Sequence, residues 1–95
     1  MKLIETSQYL RTRKRLIKKH SLTDNTIDAV LTLWIDNPKH PSLHFKPMTC
    51  KKDKERYSIR IPNTQYRILM NLTGNEARLV CVCDHSDYDR RNKNC

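Results

Sequence analysis

Apolar residues recur at helical spacing through the first third of the chain and alternate with polar ones over the second half. Ile27, Val30, Leu31 and Trp34 stand at i, i+3, i+4 and i+7, the stripe of a helix with one buried face. Thr23 or Asp24 caps this helix. Asn37-Pro38 stops it, because proline disfavours helical geometry in the residue before it and donates no backbone hydrogen bond. Upstream, Thr6 or Ser7 caps a first helix through about His20, with Tyr9, Leu10, Leu16 and Ile17 as its stripe and Arg11, Arg13, Lys14, Arg15, Lys18 and Lys19 around it. Lys2 to Glu5 supplies a short first strand.

From Pro41 the period changes to that of strands, starting with Ser42-Leu43-His44-Phe45-Lys46. Tyr57 to Ile61, residues 65–72 and residues 76–83 follow, joined by turns at Pro62-Asn63-Thr64 and Thr73-Gly74-Asn75. This predicts an α+β single domain over residues 1–95: two N-terminal helices on a small antiparallel sheet made of the first strand and a C-terminal meander. Residues 89–95 read as a frayed basic tail. Successive strand residues face opposite ways, so Tyr57, Ile59, Ile61, Tyr66, Ile68, Met70 and Leu72 point to the core. Arg60 and Arg67 then share the other face. Residues 77–83 are apolar at both parities, the pattern of a strand covered on both sides.

Charge narrows the range of partners. Nineteen Lys and Arg against ten Asp and Glu give +9, which suits nucleic acid or an acidic protein. No apolar run approaches a membrane span and Met1-Lys2-Leu3-Ile4-Glu5 is unlike a signal peptide, so a cytoplasmic protein without a membrane partner is expected. In that compartment Cys50, Cys81, Cys83 and Cys95 read as reduced thiols. Cys81-x-Cys83-x-His85 is too short and too poor in ligands for a zinc site, so no metal or other cofactor is expected. Nucleotide-hydrolase, serine-esterase and zinc-protease motifs are absent from the sequence.

What remains is a set of groups suited to a phosphodiester. Arginine offers a planar fork to phosphate oxygens, histidine transfers protons near neutral pH, and tyrosine stacks on an unpaired base. Arg60, Arg67, His85 and Tyr88 supply these parts, although either arginine could instead pair with Asp84, Asp87 or Glu76. His44 competes with His85 as the important histidine, and Asp53 and Glu55 are candidate auxiliary bases.

In their order and spacing, Asn37-Pro38, Pro41 to Lys46, Tyr57-Ser58-Ile59-Arg60-Ile61, Tyr66-Arg67-Ile68-Leu69 and Asp84-His85-Ser86-Asp87-Tyr88 resemble the RelE/ParE superfamily of toxins from bacterial toxin–antitoxin pairs. The resemblance covers nearly the whole chain. It implies a metal-independent endoribonuclease acting on ribosome-bound messenger RNA, held inactive by a cognate antitoxin in a hetero-oligomer. It also implies Arg67 as phosphate clamp, Arg60 beside it, His85 as proton-transfer group and Tyr88 as base-stacking residue. Lys46, Lys51, Lys52 and Lys54 have the loop position of RNA contacts. The ParE branch instead inhibits DNA gyrase, and a non-catalytic RNA-binding module is a third reading; the retained His85 and Tyr88 favour the nuclease.

Overall fold

Two threonines start the helices of the computed structural model, in which residues 1–47 and 55–84 are described. Thr6 is extended and its Oγ1 accepts the Tyr9 N–H at 3.2 Å, opening α1 (Ser7–Lys18). Thr23 does the same for the Thr26 N–H at 3.1 Å and opens α2 (Asp24–Asp36). Each cap satisfies one of the donors that a helix start leaves orphaned, an effect of about 1 kcal/mol. α1 ends slightly before the predicted His20. That residue turns left-handed (φ 59°), and the Ser21 N–H reaches back to Leu16 O at 3.0 Å, closing the last turn.

The strands are β1 (Lys2–Glu5), β2 (Lys46–Pro47), β3 (Arg56–Arg60), β4 (Arg67–Thr73) and β5 (Glu76–Cys83), in the order β1-β5-β4-β3-β2. The α+β class and the meander are as predicted, but the sheet is mixed. β1 runs parallel to β5, with Lys2 opposite Glu76 and Glu5 opposite Leu79, whereas the other pairs are antiparallel. The helices and β2 to β4 lie between β1 and β5, a connection far longer than parallel pairing requires. The strand expected over residues 42–46 is corrected too. Pro41–Leu43 is a 3-10 turn in which His40 Nδ1 accepts the Ser42 N–H, and His44 turns left-handed (φ 45°). Among the described residues that follow, Lys46 and Pro47 pair with β3.

Ile27, Val30, Leu31 and Trp34 of α2 are all buried, with Tyr9 and Leu16 of α1, against Ile59, Ile61, Ile68, Met70, Ala77, Leu79 and Val82 of the sheet. Trp34 lies 5.8 Å from Phe45, which stacks on Tyr57 at 5.2 Å and closes the β2 end of the core. The stripe of α1 departs from its predicted membership. Leu10 is 48% exposed, while Thr12, on the polar side of the periodic pattern, is buried.

Arg13 ties the two helices together. Its Nη1 donates to the Tyr9 hydroxyl at 3.0 Å, and its Nη2 to Asp24 at 2.9 Å and Asp28 at 3.0 Å. Burial opposes its charge, but the bonds to Asp24, Tyr9 and Asp28 more than offset this and keep the guanidinium firmly protonated. Burial also raises the Tyr9 phenol above its ordinary value, against the lowering effect of Arg13.

Candidate functional site

Arg60 and Arg67 are register partners across β3 and β4, while their neighbours Ile59 and Ile68 pair on the opposite, helix-covered side. The two guanidiniums therefore start from one point on the face turned away from the helices, the common face that strand parity predicts. Both residues are half-buried, and Arg67 Nη1 is fully enclosed. Like charges directly opposed on a ladder destabilise it, by roughly the 0.2–1 kcal/mol of a cross-strand pair. An anion bridging them relieves that repulsion, and a phosphate matches the fork of each guanidinium.

The same face carries further cations. Lys46 stands opposite Ser58, and Arg56, Asn71 and Arg78 form one row across β3, β4 and β5. Arg56 Nε donates to Asn71 Oδ1 at 3.3 Å. Beside this row a 260 Å³ hollow is lined by Glu55, Asn71, Thr73, Glu76 and Arg78, with the Thr73 hydroxyl donating to Glu55 at 2.8 Å. Arg56 and Arg78 were not among the candidate residues. Arg56 shares parity with Arg60 and was legible in that alternation; Arg78 was not.

The reason lies in β5. Cys83, Val82 and Cys81 pair with Arg67, Ile68 and Leu69, but Leu79 pairs with Met70, so Val80 is an extra residue and the parity of the strand reverses across it. Ala77 and Leu79 consequently face the helices, and so does Val82, while Arg78, Cys81 and Cys83 face the arginines. Apolar residues at both parities thus record one bulge as well as covering on two sides. Helix α1 holds the irregularity. Thr6 Oγ1 donates to Leu79 O at 2.7 Å, and Thr12 Oγ1 accepts the Val82 N–H at 3.0 Å.

Cys81 and Cys83 form a second buried cluster with Leu69 on the side away from the helices, packed against Val80. Their sulfurs are joined in a disulfide, which corrects the expectation of reduced thiols for this pair. Neighbours two apart on a strand share a face, and their Cα atoms, 5.9 Å apart, lie within bonding range for a cystine. Among the described residues no group of three metal-ligating side chains occurs, and no helix is long and apolar enough to cross a membrane.

Of the predicted site, Arg60, Arg67 and Lys46 lie together on this face, and Glu55 borders it. His44 is taken up by the left-handed end of the 3-10 turn. His85, Tyr88, Lys51, Lys52 and Lys54, with Asp53, fall outside the described residues.

No protein-family model matches the sequence, and neither does any curated protein. Solved structures do match. YafQ of E. coli superposes with a TM-score of 0.74 at 18% identity, over 90% of this chain and 94% of that one. YafQ in the E. coli DinJ-YafQ toxin-antitoxin complex gives 0.75 at 18% identity, over 90% and 92%. The YoeB dimer of Staphylococcus aureus gives 0.64 at 15% identity, over 90% and 95%. The chain has the fold of these YafQ and YoeB toxins.

Proposed function

We propose that the chain, having this toxin fold, is the toxin of a bacterial toxin–antitoxin pair, an endoribonuclease that cuts ribosome-bound messenger RNA in the cytoplasm and so inhibits translation. The observation that carries the reading is the Arg60–Arg67 pair, two arginines opposed in register on the sheet face turned away from the helices of a +9 chain. The likeness to YafQ, solved in complex with the antitoxin DinJ, supports a cognate antitoxin and a toxin–antitoxin hetero-oligomer.

In the mechanism, a ribose 2′-hydroxyl attacks the adjacent phosphorus, forming a cyclic phosphate and expelling the 5′-oxygen of the next nucleotide. No metal takes part. Charge accumulates on the non-bridging oxygens as the phosphorane forms, and Arg67 and Arg60 donate to it there, where donors aimed at developing charge act most strongly. His85 moves the proton, suited by an ordinary pKa of about 6.5. Tyr88 stacks on or orients the base, and Lys46, Lys51, Lys52 and Lys54 hold the flanking phosphates.

Mapping transcript ends in cells that express the wild type, Arg67→Ala or His85→Ala tests the reading. Codon-phased cuts are expected with the wild type, and about 10²–10³-fold fewer with Arg67→Ala, the usual loss for one donor to a developing oxyanion. Intact transcripts together with gyrase-dependent DNA breaks overturn it in favour of a gyrase inhibitor. Undiminished toxicity in both variants overturns the site.

A further inference from the structure

The Cys81–Cys83 bond is placed where it can act on the arginine pair. Cys83 is the register partner of Arg67 and Cys81 that of Leu69, so the cystine lies along β5 directly across from β4's share of the site. Residues two apart on an ordinary strand span about 6.6 Å, from a rise of about 3.3 Å each. The bonded pair spans 5.9 Å. The bonded segment is thus shorter than an ideal strand at the point facing Arg67.

We propose that Cys81 and Cys83 are a reversible thiol–disulfide site whose state sets the position of the Arg67 guanidinium. This rests on the reading of Arg67 as a phosphate ligand only for its effect on RNA; the redox chemistry and the movement stand without it. The oxidant is a low-molecular-weight disulfide, R–S–S–R. The Cys83 thiolate attacks one of its sulfurs and releases one R–S⁻, which takes up a proton. The Cys81 thiolate then attacks the mixed disulfide at Cys83 and releases the second. The two cysteines lose two electrons and the external disulfide gains them, giving Cys81–S–S–Cys83 and two R–SH.

Burial decides the order and the rate. Both sulfurs are enclosed, Cys81 at 0% and Cys83 at 1% exposure, so exchange requires local opening. Cys83 is the last residue of β5, so opening of the strand from that end exposes it first, whereas Cys81 lies two residues further in. In a reducing cytoplasm the dithiol is the resting form, and a bonded pair there reports an oxidising challenge. The bond also fixes the end of β5 and so pre-organises the residue opposite, which lowers the ordering cost of binding a phosphate.

The full-length protein is equilibrated with reduced or oxidised glutathione and read in three ways. Alkylation and mass measurement should show a loss of two reactive thiols from the pair on oxidation, reversed by reductant and absent in Cys81→Ala and in Cys83→Ala. Side-chain nitrogen NMR should show the Arg67 Nε–H shifting between the two states, while that of Arg13, held by Asp24 on the other side of the sheet, stays fixed. Binding of a single-stranded RNA oligonucleotide should be about tenfold tighter in the oxidised state, and equal under both conditions in Cys83→Ala. Failure of the bond to form in oxidised glutathione, or an Arg67 resonance that moves no more than that of Arg13, overturns the proposal. RNA binding unchanged while Arg67 moves overturns the effect on RNA. Absence of cleavage in both states overturns the nuclease reading and leaves the redox site standing on the first two measurements.

Discussion

At the scale of single residues, Thr12 and Tyr9 show how much of the site's support comes from groups far from it in sequence. The Thr12 hydroxyl, buried under α1, lies 3.0 Å from the carbonyls of Gln8 and Tyr9 and accepts the Val82 N–H. Thr12→Val keeps the shape and strands that N–H, so it should lower unfolding stability by about 1–3 kcal/mol, while Thr12→Ser should lose far less. Urea titrations with unchanged slopes would measure both. Tyr9 gives a pH signature. Its phenol pKa is raised in the folded state by burial, so the folded protein holds this proton more tightly than the unfolded one. The resulting stability is fully present below about pH 10 and is lost as pH climbs through the raised value. Tyr9→Phe should therefore flatten the alkaline limb of a stability–pH profile. The caps Thr6 and Thr23 and the stripe Ile27, Val30, Leu31 and Trp34 were legible because cap chemistry and helical period are local. Thr12 was not, because its polar side chain is buried only by a strand seventy residues away.

At the scale of elements, the β-hairpins were readable from their turns and the β5 bulge was not. Gly74 marks the β4–β5 turn, takes φ +59°, and leaves open space where a Cβ would sit. Gly74→Ala should thus cost only the left-handed backbone term, about 1–2 kcal/mol, seen as a fall of roughly 4–16 °C in Tm for a domain of this size. A larger fall would mean that the turn does more than reverse the chain. The extra residue at Val80 adds nothing to composition and blurs the alternation in β5, so its effect on the direction of Cys81 and Cys83 emerges only from pairing. The segment from Pro41 to Phe45 failed for a related reason. Alternation resembles a strand there, but proline at the first position and the His40 cap turn it into a 3-10 step.

At the scale of the molecule, the excess of positive charge and the paired arginines make one expectation of the proposed RNA-cutting function quantitative. RNA affinity should fall linearly with log salt, each phosphate contact adding about 0.7 to the slope for a single strand, so Arg60→Ala should reduce that slope by roughly 0.7. Equal slopes for Arg60→Ala and wild type would remove Arg60 from the phosphate contacts.

The order β1-β5-β4-β3-β2 has a consequence in time as well as space. β1 comes first in sequence, yet among the described strands its neighbour is β5, the farthest from it along the chain. Arg67 gains its β5 neighbour Cys83 through a local hairpin, whereas β1 joins only by the long-range pairing with β5. The edge strand that comes first in sequence is thus fastened by the strand farthest from it, and the sheet closes by its least local pairing.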